Sequence, residues 1–206
     1  MPEINDTFKS EAAFEKARIY LKGKDISKTR EWIAKSLNFN KGDREGSRWN
    51  LLARAAMMES KHDEAIVAAT NALKLNRSNQ QRTEEANSLR IMGEAKAEKG
   101  DFKESKEFYF KALEIDKESG ESRKIALTLR GLGNLMLKQE LLQEAIAYYK
   151  RAYNVSKTAG DIKSCLLSVE SLIEMYRKSG DENKAEEFSK KKNELTNKIS
   201  AEAEKK

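Results

Sequence analysis

The feature that most constrains this chain is an internal repeat with a period of forty residues. One apolar column holds Trp49, Leu89, Leu129 and Val169. A second holds Leu52, Met92, Leu132 and Leu172, and the next position holds Ala53, Gly93, Gly133 and Ile173. Later in the unit, Ala65, Ser105, Ala145 and Ala185 keep the same interval. So do Ala72, Ala112 and Ala152, and so do Leu75, Ile115, Val155 and Leu195. A weaker unit precedes these, carried by Ala17, Tyr20, Trp32, Ile33, Ser36 and Phe39, with a shorter linker to Trp49. A fixed period of this length marks one supersecondary unit copied along the chain. A single copy cannot bury its apolar face, so neighbouring copies must stack.

Each unit reads as two helices. From Leu89 to Ile115 apolar residues recur at helical spacing on both sides of Gly100-Asp101, where the pattern breaks. Gly100 reads as a helix terminator and Asp101 as a cap for the next helix. Two helices that cross closely need small residues at the crossing. Gly93 with Ser105, and Gly133 with Ala145, are placed to face each other there, with Leu89, Met92, Phe108 and Tyr109 filling the remaining space.

These residues resemble the tetratricopeptide repeat (TPR). Leu89, Met92-Gly93, Gly100-Asp101, Phe108-Tyr109 and Ala112 match its pattern, as do Leu129, Leu132-Gly133, Ala145, Tyr148-Tyr149 and Ala152. The resemblance extends over roughly residues 8–200. Two departures stand out: the proline that usually closes each repeat is missing, Pro2 being the only one in the chain, and the period is forty. The extra length resembles the longer-helix branch of the family. Gly42-Asp43-Arg44-Glu45-Gly46, Gly120-Glu121-Ser122-Arg123 and Gly160-Asp161 look like the linkers of that branch.

The resemblance implies an all-α fold, a right-handed α-solenoid of five stacked antiparallel helix hairpins forming a TPR-like superhelix. The expected repeats span about 7–40, 44–77, 82–118, 121–158 and 162–203. Together they form one domain over 7–203, preceded by a disordered segment at 1–6. Residues 40–47 read as a linker whose Gly42 and Gly46 stop and restart helices. The turn at Gln139-Glu140-Leu141 lacks glycine and is less clearly marked. The last helix is expected to act as a cap, because Lys192 stands in the column of Ala72, Ala112 and Ala152, and Lys190, Lys191, Glu186 and Glu187 surround it with charge.

An apolar content of 38% is low for a compact globule and suits a thin two-layer stack with much surface. The net charge is +6, but basic and acidic residues stay near balance from unit to unit. Without a concentrated basic stripe, nucleic acid is a disfavoured partner. His62 and Cys165 are the chain's single histidine and single cysteine, and they lie in different units. They offer no metal cluster and no nucleophile–base pair, and the chain has no glycine-rich phosphate loop. The expectation is therefore no catalytic residue, no metal and no cofactor. The absence of a long apolar run and of a signal-peptide pattern points to a cytoplasmic chain with no membrane insertion.

Binding is the better-supported role. In the resembled family the first helix of each unit lines a concave groove. Register places Asn50 and Arg54 there, then Asn87 and Arg90, then Arg130 and Asn134, then Glu170 and Glu174. Arg90 and Arg130 occupy equivalent positions. A row of guanidinium groups can grip carboxylates through paired hydrogen bonds. The asparagines offer both a donor and an acceptor, which suits the backbone of an extended peptide. Arg130-x-x-x-Asn134 looks like part of the carboxylate clamp of some family members, although Glu170, Ser171 and Glu174 do not continue it. The expectation is a protein–protein interaction scaffold or adaptor holding a peptide segment of a partner, with acidic residues in that segment a fitting match. Two alternatives stay open: a peptide-sensing regulator acting on a separate effector, and a self-assembling, homo-oligomeric scaffold module.

Overall fold

The computed structural model describes residues 2–39 and 44–203. Among them are ten helices and no strand. The helices are α1 (Pro2–Lys22), α2 (Ile26–Phe39), α3 (Glu45–Met58), α4 (His62–Ser78) and α5 (Arg82–Glu98). They continue with α6 (Phe102–Glu118), α7 (Ser122–Lys138), α8 (Leu142–Thr158), α9 (Ile162–Lys178) and α10 (Glu182–Ala203). The all-α class and the consecutive helix pairs are as the repeat requires. The chain forms two compact units, Met1–Ala112 and Leu113–Lys206, so the division falls inside α6.

The turns follow a rule finer than the forty-residue period. From Ser60 onward, every twentieth residue has a positive φ: Ser60, Gln80, Gly100, Gly120, Glu140, Gly160 and Gly180. Each of these residues follows a helix end, and the bonds around Ser60, Gln80, Gly100, Glu140, Gly160 and Gly180 have Schellman geometry. At Gly100, for example, Asp101 N donates to Lys96 O at 2.9 Å and Gly100 N to Ala97 O at 3.1 Å. Glycine takes this conformation without a Cβ clash, and Glu140 takes it too, at φ 61°. The turn without glycine is thus built like the others.

Three local expectations change. Helix α1 begins at Pro2, so the backbone is helical where a disordered start was expected; Met1 lies outside the described residues. Proline suits the first helical position, where its missing N–H has no intrahelical partner in any case. The linker expected at 40–47 is helical from Glu45, and its residues 40–43 lie outside the described residues. Gly46 sits in the first turn of α3 against Asn76; a Cβ there would stand 2.0 Å from Asn76 Oδ1. The Asp101 carboxylate bonds Lys96 at 3.1 Å, whereas Asp161 and Asp181 do cap their helices, accepting from Ser164 N and Lys184 N.

In unit 1 the core begins with Phe14, Ala17, Ile33 and Leu51, with Trp32 and Leu52 packed against them. It continues through Ala53, Ala68, Ala69, Ile91 and Met92 under Trp49 and Phe108. Small residues mark the close crossings. Ser105 Oγ donates to Gly93 O at 2.6 Å, and the Tyr109 ring lies over Gly93. In unit 2 the same device recurs: Tyr149, buried, lies over Gly133 so tightly that a Cβ would come within 2.7 Å of its ring. Ala145, the expected partner of Gly133, is buried nearby in sequence on α8, but it is the Tyr149 ring that sets the spacing.

Unit 2 ends with α9 against α10, where Phe188 stacks on Tyr176 at 5.5 Å and meets Tyr153 edge-on at 5.9 Å. The lysine run on α10 is neutralised in place. Lys190 and Lys191 pair with Glu186 and Glu187 one turn back, and Lys192 reaches Glu170 of α9 at 2.8 Å.

Candidate functional site

The odd-numbered helices α3, α5, α7 and α9 carry the eight residues singled out by register. In unit 1 they divide into two kinds. Asn50 is only 3% exposed, and its amide is consumed inside the protein. Its Nδ2 donates to Glu84 O at 3.0 Å and to Glu84 Oε2 at 2.9 Å, while Oδ1 accepts from Ser88 Oγ at 2.8 Å. Arg90 is 5% exposed, and its Nη2 donates to Asn87 Oδ1. These two side chains tie α3 to α5 and hold Asn87; they are not displayed to a guest as register alone implied.

Arg54 and Asn87 are displayed. Arg54 is solvent-exposed and makes no hydrogen bond or ion pair among the described residues. Protein nonetheless surrounds it: desolvation, then the positive charge of Arg90, holds its pKa below the ordinary guanidinium value, against weaker attraction from Glu94 and Glu84. Arginine can only donate, so the Arg90–Asn87 bond fixes the Asn87 amide with its oxygen inward and its two N–H donors outward. Arg54 and Asn87 line one cleft of about 230 Å³ with Phe14, Arg18, Arg44 and Glu84, and the small exposed edge of Asn50 reaches its wall. Arg18 and Arg44 were not foreseen; α1 brings Arg18 in, and Arg44 immediately precedes α3.

In unit 2 the outcome is parallel, with different chemistry. Tyr149 OH donates to Asn134 Oδ1 at 2.5 Å. Burial, followed by the Glu174 charge, pushes the Tyr149 hydroxyl up to about 12, against the opposing effect of Arg130. It therefore stays protonated as a donor, and exposed Asn134 is turned with its N–H donors outward. Arg130, half-buried, makes no hydrogen bond or ion pair among the described residues, and burial lowers its pKa. Each unit thus presents one arginine without a bonded partner and one asparagine oriented from behind by a buried donor.

Glu170 and Glu174 are exposed on α9. Glu170 is bonded to Lys192 and Glu174 to Lys178, both at 2.8 Å. With Ile173, Arg177, Lys178 and Lys192 they line a shallow depression of about 330 Å³. Their charge is locally offset by these lysines.

Among the described residues no group of three or more His, Cys, Asp or Glu is placed to hold a metal ion. Cys165 is buried, which raises its thiol pKa. No helix among the described residues is long and apolar enough to cross a membrane.

Residues 83–158, from the start of α5 to the end of α8, match the sequence model of the tetratricopeptide repeat. These are tetratricopeptide repeats. The structural likeness extends over most of the chain. A Rap protein complexed with Competence and Sporulation Factor has a TM-score of 0.79 at 16% identity, over 91% of this chain and 54% of that one. Aspartyl phosphate phosphatase F from Bacillus subtilis has a TM-score of 0.82 at 14% identity, over 96% and 53%. Nearly identical TPR-like repeats from Podosopora anserina have a TM-score of 0.69 at 16% identity, over 94% and 98%. The chain spans about half the length of the first two. Identities this low carry the fold alone. No curated protein sequence matches significantly.

Proposed function

We propose that this TPR protein is a non-catalytic interaction scaffold, each of whose two units binds a stretch of partner protein on the exposed face of its odd-numbered helices. The observation that carries the reading is the repeated device of unbonded arginine plus oriented asparagine. Arg54 with Asn87 provides it in unit 1 and Arg130 with Asn134 in unit 2. Neither guanidinium has a bonded partner among the described residues, which leaves both as donors for a guest, and outward amide donors match peptide carbonyls whatever the sequence. The last helix, with its charge paired along its outer side, is proposed to close the stack within one domain.

A second reading has a specific support. The Rap protein of similar fold is complexed with Competence and Sporulation Factor. By likeness, this chain would be a peptide-responsive regulator acting on a separate effector.

The test is site-specific photocrosslinking. A photoreactive residue at Asn87 or at Asn134 is expected to capture a partner segment, whereas the same residue at exposed Val67 on α4 captures none. Equal capture from Val67 contradicts the assignment of the face.

A further inference from the structure

We propose that the outer face of α1 pairs with α1 of a second copy of this chain, antiparallel about a two-fold axis. The proposal does not involve Arg54, Asn87, Arg130 or Asn134 and stands or falls apart from the reading above. The side of α1 that carries Phe14 and Ala17 is buried against Ile33 of α2 and Leu51 of α3. The opposite side of a surface helix is ordinarily polar. Here Phe8 and Ile19 stand on it, 75% and 68% exposed, with exposed Ala12 between them. Among the described residues no other large apolar side chain is as exposed as these two. Phe8, Ala12, Glu15 and Ile19 step by four, three and four residues, the heptad seam along which one helix meets another. The seam runs about 16 Å along the helix axis.

Charge decides what covers it. Glu15 sits in the middle of the seam, exposed and bonded to Arg18 at 2.8 Å. A carboxylate there repels an anionic bilayer, and in a parallel pair it repels its own counterpart. In the antiparallel pair Phe8 meets Ile19 of the second copy, and Glu15 meets the small Ala12. On one flank Arg18 comes opposite Glu11 of the second copy, a pair of opposite charges. On the other flank the lysines are already drawn toward α2. Lys9 pairs with Asp6 and lies over the Phe39 ring, and Lys16 lies over the Trp32 ring at 4.2 Å. A two-fold contact of this kind uses the same patch twice and closes on itself. A single helix pair buries less than the roughly 1,200 Å² of a stable interface, so the dimer is weak and reversible.

Sedimentation velocity of the full chain from about 10 µM to about 1 mM is expected to show a monomer–dimer equilibrium. Phe8→Ser combined with Ile19→Ser should weaken it about tenfold or more, with thermal unfolding unchanged because neither side chain is buried. Val67→Ser, on an exposed apolar residue of α4, should leave it unaltered. Under mild oxidation, a mixture of Phe8→Cys and Ile19→Cys chains should form the mixed disulfide, and either variant alone should form little; buried Cys165 does not compete. A chain that stays monomeric at the highest concentration overturns the proposal. So does a dimer indifferent to the two serine substitutions, or a disulfide formed as readily by Phe8→Cys alone. A monomer that sediments with phosphatidylserine vesicles through Phe8 and Ile19 would also overturn it and assign the face to a lipid surface.

Discussion

Thr128 Oγ1 donates a 2.6 Å hydrogen bond to the Asp116 carboxylate, and both residues are buried. Forty residues earlier Asn76 Nδ2 donates to Ser88 Oγ at 3.1 Å. The same twelve-residue step thus joins the end of one even-numbered helix to the next odd-numbered one in each unit. Ser36 and Ser156 fall in the first column, and Arg48 and Ser168 in the second, all of them buried. Buried polar groups require partners, so these columns fix how consecutive hairpins meet, alongside the apolar ones. Thr128→Val, which keeps the shape and removes the donor, should destabilise the fold by about 1–3 kcal/mol. Denaturant unfolding against wild type checks this; an unchanged midpoint would remove the columns from the account.

The Gly133–Tyr149 crossing predicts a graded pair of substitutions. A Cβ on Gly133 meets the ring at 2.7 Å, whereas one on Gly93 meets the Tyr109 ring at 3.1 Å. Tyr149 is held at its hydroxyl by Asn134 and cannot yield cheaply. Gly133→Ala should therefore cost about 1–3 kcal/mol, and Gly93→Ala less. Thermal unfolding of the two variants reads the order directly.

The left-handed turn residues predict opposite signs for opposite exchanges. Gly100 has open space around its Cα and φ 84°, so Gly100→Ala should lose about 1 kcal/mol through backbone strain alone. Glu140 already takes that conformation at φ 61°, so Glu140→Gly should not destabilise. Calorimetry of both variants decides the matter.

Asp161 predicts a pH dependence. Burial pushes its carboxyl upward, but Arg123 and Ser164 outweigh that and hold it at about 2, below its ordinary 3.8. A depressed value means that the ionised form favours folding. The contribution is complete above about pH 4 and fades as pH falls toward about 2. The stability gap between wild type and Asp161→Asn should accordingly be wide at pH 5 and narrow at pH 2.5. A gap that widens on acidification would contradict the sign.

The hairpins were legible because steric columns such as Ala65, Ser105, Ala145 and Ala185 repeat whatever their surroundings. The polar columns repeat just as regularly, yet nothing in Asn76, Asp116 or Thr128 alone marks it as buried, since a lone polar residue does not announce its partner. The site was half legible for a related reason. Arg90 and Arg130 are equivalent in sequence, but whether a guanidinium is buried depends on what its neighbours supply. Asn87 engages Arg90, while Arg130 is left beside Tyr149. Charge pairing in this chain does not follow the period.

The most direct test of the interaction face is the affinity for the crosslink-mapped partner segment, measured by titration calorimetry. Arg54→Ala combined with Arg130→Ala should weaken binding by about tenfold or more. Lys74→Ala combined with Lys157→Ala, on exposed residues of the even-numbered helices, should leave it unchanged. Equal losses from both pairs, or none from the arginine pair, would contradict the account.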